Sequence, residues 1–475
     1  MQRRTRIVAT IGPATDRLGV LDDIIRAGVD VVRVNFSHGS ASEHLRRIAA
    51  VRDAASRLQR QVAVLGDLPG PKLRTPLRDS ITLTAGQQVS IGTCDGAVCD
   101  IPVTEPECTR DVRPGQRILL DDGRLQLRAV RHDGDALVAE VVIGGTLKPN
   151  KGVNLPDTEL SLSALTPRDH EALNIAAQSQ VDWLALSFVR NAASARELRN
   201  AAAALDLVVP ILAKMERPEA VTRAAEIIAA FDGIMVARGD LGVEIPLERV
   251  PTVQKALISS ARAAGKPVVT ATDMLDSMRL NPRPTRAEAS DVANAMYDGT
   301  DAVMLSGETA VGEYPLAAVQ CMDRIACETE SNLVGDIRYD LTLPPGSIDD
   351  HLTEKVCELA SEVGAAAILT PTYSGRTARL VARHRPAAAI VAPAPSPYIA
   401  RQMQLIWGVQ SVVMSDVLQP GADRFESAVR SALSAGVIAP GQLVVVLAGH
   451  PVAGGQRFPT IRLVRVGENG ESIEP

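Results

Sequence analysis

The sequence has little that would build a thiolate metal site or a disulfide scaffold. Its six cysteines, at 94, 99, 108, 321, 327 and 357, show neither paired C-x-x-C spacing nor the density of a small secreted domain. A reducing cytoplasm is the compartment that fits. There is no cationic excess either: 50 Lys and Arg against 56 Asp and Glu give a formal net charge of −6. A phosphate-backbone binder needs a cationic face, so nucleic acid is not expected as a partner. No apolar run approaches the ~20 residues that span a bilayer, so the expected protein is soluble, with no membrane partner. The opening MQRRTRIVATIG carries bases but no apolar core with a cleavage site. Also missing is a GxxxxGK[ST] loop, which excludes a P-loop enzyme.

What is present is ordinary globular material, with 46% hydrophobic and 22% charged residues over 475 positions, enough for two or three domains. Short apolar, β-branched runs recur at 5–12, 29–37, 61–67 and 181–188, and again at 208–216, 232–240, 266–274 and 301–309. Between most of them lie Ala-rich amphipathic segments of helical length, such as NAASARELRNAAAAL and RPEAVTRAAEIIAAF. Eight continuous apolar strands alternating with helices predict a (β/α)8 barrel, whose parallel strands are covered on both faces.

About a hundred residues separate the third run from the fourth, and there the period changes to short alternating strands punctuated by Asp-Gly turns, as in RILLDDGRLQLRAVRHDGDALVAEVVIGG. Residues 71–166 are expected to form a β domain inserted at the top of the barrel, where it can act as a lid. The barrel then comprises 1–70 and 167–338. After the linker DIRYDLTLPPGSIDD, residues 339–475 return to α/β alternation through AAAILTPT, AAAIVAPAP, GVQSVVM, LVVVLAG and TIRLVRV, which predicts a smaller open sheet.

In such a barrel the functional groups project from the C-terminal ends of the strands. These ends are unusually charged. The second carries Arg33, Asn35 and Ser37 at a period of two; the third ends in Asp67, and the fifth in Lys214 and Glu216. The sixth presents Asp240 behind a flexible Arg-Gly, the seventh Thr270 and Thr272, and the eighth Ser306 and Glu308. Any one of these could simply mark a strand's exit to solvent. Together they concentrate ionisable groups in one confined mouth, which is tolerable only if they pair with each other, with a metal or with a charged substrate. Two carboxylates without His or Cys partners suit a hard divalent cation, Mg2+ or Mn2+. Arg33 and Lys214 opposite it make the cationic clamp that phosphoryl transfer requires.

TRIVATIGPAT, VRVNFSHG, LAKMERPEA, VARGDLGVEIP, ATDMLDSM and NPRPTRAEASDVANAMYDGTDAVMLSGETAVGEYPLAAV resemble the signature blocks of the pyruvate kinase family. The likeness extends to KGVNLP at the end of the insert and to YSGRTARLVARHRP near the C-terminus. The resemblance implies transfer of a phosphoryl group from phosphoenolpyruvate to ADP, giving pyruvate and ATP, by a barrel with a β lid and a C-terminal regulatory α/β domain. It implies that Glu216 and Asp240 hold the divalent cation, that Lys214 stabilises the phosphoryl group in flight and that Arg33 clamps it. Gly239 and Thr272 meet the substrate carboxylate, with Thr272 beside the enolate carbon. Asn35, His38, Arg74 and Lys151 fall on the nucleotide side, although His38 could equally shape its turn. A homotetramer is implied as well.

In the C-terminal region the resemblance implies a phosphorylated effector bound through Thr372, Ser374, Gly375, Arg376 and Thr377. The loop AGHPVAGGQRFPT departs from the family form and leaves the effector open. The stretch LGDLPGPKLR departs too: Leu68 stands where the family has threonine and Lys72 where it has glutamate. Asn35, Ser37, Asp67 and the carbonyl of Leu68 match the ligands of a monovalent cation, and an ammonium at Lys72 would make bound K+ redundant. Asp273 replaces a common Gln and has no assigned role. The competing readings are a metal-dependent lyase or aldolase acting on pyruvate enolates, and a non-catalytic metabolite sensor. The lid and Lys151 favour a nucleotide substrate over the former. Lys214, Glu216, Asp240 and Thr272 together disfavour the latter.

Overall fold

A computed structural model describes residues 3–92, 99–333, 347–414, 423–451 and 457–475. Most of the interdomain linker and the centre of the loop at 448–460 lie outside the described residues.

Eight parallel strands close into a barrel in sequence order. They are β1 (Arg6–Thr10), β2 (Val31–Asn35), β3 (Ala63–Asp67), β4 (Trp183–Leu186), β5 (Ile211–Met215), β6 (Gly233–Ala237), β7 (Val268–Ala271) and β8 (Ala302–Leu305). Each falls inside its expected run and is shorter than it. After β6 the chain enters the short helix Arg238–Glu244, so the Arg-Gly before Asp240 is helical backbone and not the flexible link expected. After β7 the chain turns through Thr272 and Asp273 at φ 67 and 56, a left-handed conformation costly for a β-branched residue.

The period of two along each strand sorts side chains into two cores. Val8, Val31, Leu65, Trp183, Leu212 and Met235 belong to the cluster that fills the barrel, whereas Ile7, Val32, Val64, Leu184 and Ile211 pack outward against the helices. Counting on by two from the interior positions reaches Thr10 after Val8, Arg33 after Val31, Asp67 after Leu65, Ser187 after Ala185 and Lys214 after Leu212. The apolar filling thus ends in a polar layer.

Between β3 and the helix Pro167–Ser179 the chain builds a seven-stranded sheet and a separate two-stranded one around their own core of Ile91, Ile118, Leu127 and neighbours. Two of its hairpins turn at Asp121–Gly123 and at Gly134, all at positive φ, as the Asp-Gly pairs predict. The C-terminal sheet orders its strands Val409–Val413, Ala389–Ala394, Ala367–Leu369, Leu443–Pro451, Arg457–Val466 and Ser472–Ile473. The first four are parallel and the last two antiparallel. Ala367 and Leu369 face one core and Ile368 the other, so helices cover both sides.

Candidate active site

The polar layer at the C-terminal mouth is tightly connected. Arg33 donates to Asp67 Oδ2 at 2.6 Å and to Thr10 Oγ1 at 3.0 Å. The Lys214 ammonium donates to Ser187 Oγ at 2.8 Å and lies 3.0 Å from Glu216 Oε1 and 3.4 Å from Asp67 Oδ1. Ser187 in turn donates to the carbonyl of Leu68 at 2.7 Å. Burial opposes the Lys214 charge, but Asp67 and Glu216 outweigh it and raise the ammonium's pKa above its ordinary value. Burial alone would raise the Asp67 carboxyl; Lys214 and Arg33 prevail and hold it below the usual carboxylate range. Glu216 differs. Burial pushes it up, nearby Asp240 pushes the same way, and Lys214 only partly offsets them.

Glu216 is fully buried, with Oε2 accepting the backbone N–H of Phe188 at 2.8 Å, while Oε1 has the Lys214 ammonium at 3.0 Å and no other partner among the described residues. Asp240 faces the same mouth from the first turn of Arg238–Glu244. Both groups are hard oxygen donors. Among the described residues no group of three or more His, Cys, Asp or Glu is gathered so as to hold a metal. Beside Asp240, the N–H of Gly239 donates to Thr272 Oγ1 at 2.7 Å, and a Cβ on Gly239 would stand 3.3 Å from that oxygen. Glycine lets the backbone approach the hydroxyl closely.

Around this centre lie the other predicted residues. Asn35 Oδ1 accepts the N–H of Ser37 at 3.0 Å, shaping the turn after β2. His38 lies on the exposed side of its turn; partial desolvation of its ring, with Arg74, Arg168, Lys72 and Arg33 nearby, lowers its pKa. Arg74 and Lys151 sit on paired lid strands; Arg74 donates to the carbonyl of Asn150 at 3.0 Å and Lys151 pairs with Asp121 at 2.6 Å. Lys72 does not reach Asp67, which Arg33 and Lys214 already neutralise. Its ammonium lies 3.1 Å from Asp240 Oδ1 and 5.9 Å from the ring centre of Phe188.

Some expected groups stand apart. Thr270 is fully buried and donates to Thr300, and Glu308 accepts from the backbone of Leu275 and Ser306, so both support the fold beneath the mouth. Asp273 lies among Arg238, Asp276 and Asp291, and burial raises its carboxyl. Thr10, Ser187 and Phe188 join the site without having stood out in the sequence. A hydroxyl at a strand end is commonplace; the interior register of β1 and β4 was the signal that could have found the first two. In the C-terminal domain Thr372 Oγ1 accepts the N–H of Gly375 at 2.8 Å, Gly375 turns at φ 75, and Arg376 lies 3.5 Å from Asp349. Ser374 is exposed beside them, ahead of the helix Arg376–Ala382, which includes Thr377.

Family models identify the pyruvate kinase barrel domain over residues 2–319 and the pyruvate kinase alpha/beta domain over residues 350–464. The chain belongs to the pyruvate kinase family. It is accordingly a phosphotransferase. It is 45% identical to the pyruvate kinase of Geobacillus stearothermophilus across 95% of this chain and 78% of that one. It is 42% identical to pyruvate kinase 2 of a Synechocystis strain across 98% of this chain and 80% of that one. A crystal structure of a pyruvate kinase from Cryptosporidium parvum superposes with a TM-score of 0.89 at 34% identity, covering 98% of this chain and 96% of that one. The described residues contain no helix long and apolar enough to cross a membrane.

Proposed function

We propose that this pyruvate kinase transfers the phosphoryl group of phosphoenolpyruvate to ADP in glycolysis, with Mg2+ or Mn2+ held by Glu216 and Asp240. The observation that carries this reading is the buried network of Arg33, Asp67, Lys214 and Glu216 at the barrel mouth. Glu216 Oε1, which faces the Lys214 ammonium at 3.0 Å and no further partner among the described residues, is the atom a divalent cation would complete. Such a cation, when bound, neutralises charge on the phosphoryl oxygens. Lys214 then stabilises charge that develops on the moving group, and Arg33 holds the phosphate in register. Gly239 and Thr272 receive the carboxylate end, and the Thr272 hydroxyl orients the proton donor to the enolate carbon.

Asn35, His38, Arg74 and Lys151 form the nucleotide side. Partial desolvation and the surrounding cations lower the pKa of His38, which favours its use as a neutral hydrogen-bonding group. Closure of a lid formed by 71–166 over a barrel of 1–70 and 167–338 brings Lys151 to the phosphates and excludes water. The 339–475 domain takes a phosphorylated effector through Thr372, Ser374, Gly375, Arg376 and Thr377. The enzyme works as a cytoplasmic homotetramer.

Lys72 supplies the positive charge that K+ gives other members, so activity does not require K+. Purified protein with Mg2+, phosphoenolpyruvate and ADP should form pyruvate and ATP; absence of both, with and without sugar phosphates and AMP, sinks the kinase reading. Rate measured against KCl, with a large organic cation holding ionic strength, should be flat, and Lys72→Glu should create a K+ requirement. Loss of wild-type activity without K+ would contradict the role of Lys72.

A further inference from the structure

The charges at the mouth balance in pairs. Asp67 is held by Arg33, Glu216 by Lys214 and Asp240 by Lys72, three carboxylates against three cations. A divalent cation entering this cluster therefore meets a site already neutralised from within. One cation must give way. Arg33 and Lys214 cannot easily do so: their side chains are about 10% exposed and locked to two or more partners each. The Lys72 side chain is 36% exposed and stands on the turn between barrel and lid, with Asp240 as its ion-pair partner.

We infer that Lys72 is a displaceable internal counter-ion of Asp240, which a divalent cation must evict to bind, so that metal loading and the position of the lid hinge are coupled. The inference rests on the reading of Asp240 as a metal ligand. Two further contacts define the device. The Lys72 ammonium also lies over the Phe188 ring, and Phe188 donates its N–H to Glu216, so Phe188 touches Glu216 directly and is linked to Asp240 through Lys72. The Lys72 stem passes the lid strand Lys151–Asn154: a Cβ on Gly152 would lie 3.9 Å from its Cε. An evicted ammonium thus leaves the barrel wall on the side where the lid strand runs. A released cation at that position is free to meet an anionic substrate, which would order binding as metal before phosphate.

Direct binding of Mn2+ to the full chain, followed by electron paramagnetic resonance of the free ion without substrate, tests this. Lys72→Met should bind Mn2+ about 1.5- to fivefold more tightly than wild type, since a pair exposed to about a third is worth only a modest factor. Lys72→Arg should stay near wild type, because it keeps the charge; Lys72→Gln provides a second neutral variant should the first fold poorly. Unchanged or weaker binding in the neutral variants overturns the inference. Tightening in Lys72→Arg as well overturns it too, since that would reflect loop structure and not charge. Asp240→Asn should weaken Mn2+ binding; if it does not, the metal lies elsewhere and the site reading falls together with the inference.

Discussion

At the scale of single residues, the barrel mouth shows how a strand period becomes chemistry. The interior positions carry apolar side chains until the last turn of the barrel, where Thr10, Arg33, Asp67, Ser187 and Lys214 replace them. Not every buried ionisable group belongs to that layer. His44, on the helix Ala41–Arg57, is 3% exposed, packs edge-on to Phe36 with ring centres 5.1 Å apart, and has no hydrogen-bond partner at either nitrogen among the described residues. Burial, reinforced by Arg47, lowers its pKa, so the folded state holds the imidazole neutral. A depressed pKa means that the unfolded chain takes up the proton first. The contribution of His44 to stability is therefore full above the unfolded pKa of ~6.5 and lost as pH falls through that value towards the folded one. His44→Leu, which cannot titrate, should unfold in urea with a shallower loss of stability between neutral and mildly acidic pH than wild type. Equal slopes would mean that another group carries the acid sensitivity.

At the scale of elements, the lid is fastened to the barrel through charge. Arg217, just after β5, donates to the carbonyls of Leu155 and Thr158 at the base of the lid and to Glu244 Oε1 at 3.1 Å. Asn154, ending the lid strand, donates to the same oxygen at 2.7 Å. Glu244 closes the helix whose first turn presents Asp240, so one short helix ties the lid's foot to the candidate metal ligand. Arg217→Met should cost about 3–5 kcal/mol, because it strands a buried carboxylate and two carbonyls, and adding Glu244→Gln should recover part of that loss. Chemical denaturation of the two variants measures both; additive losses would show that the pair is not coupled. This clamp was not legible in the sequence. The eight strands were, since each apolar run is local, as were the Asp-Gly turns and the charged strand ends. Arg217 and Glu244 lie 27 residues apart on the segments that follow β5 and β6, and their lid partners Leu155, Thr158 and Asn154 come from 59 to 90 residues away. The same reason hid the partner of Lys72: its turn was readable, but the choice of Asp240 over Asp67 depends on Arg33 and Lys214 having neutralised Asp67.

At the scale of the whole molecule, the barrel does not close its own floor. Leu405, on a short turn of the C-terminal domain, is fully buried in the cluster that fills the barrel, beside Val8, Val31 and Trp183. The Trp183 indole donates to the carbonyl of Gln402 at 3.0 Å, satisfying an N–H that the interior of the barrel would otherwise strand. Around this plug Arg4 and Arg385 lie 5.3 and 4.7 Å from the Trp407 ring centre on the two sides of the domain boundary, and Arg385 pairs with Asp301 at the foot of β8 at 3.0 Å. A change in the C-terminal domain therefore reaches the barrel through its core and not only through its surface, which is a physical route by which an effector could act on the mouth at the opposite end. Leu405→Ala should leave a cavity shared by both domains and cost about 2–5 kcal/mol, where the same substitution on a solvent-facing helix would cost little. In scanning calorimetry the wild type should unfold its barrel and C-terminal domain in one transition, and Leu405→Ala should lower that transition or split it. A variant that melts like wild type would mean that the charged contacts at the boundary, and not the plug, hold the two domains together.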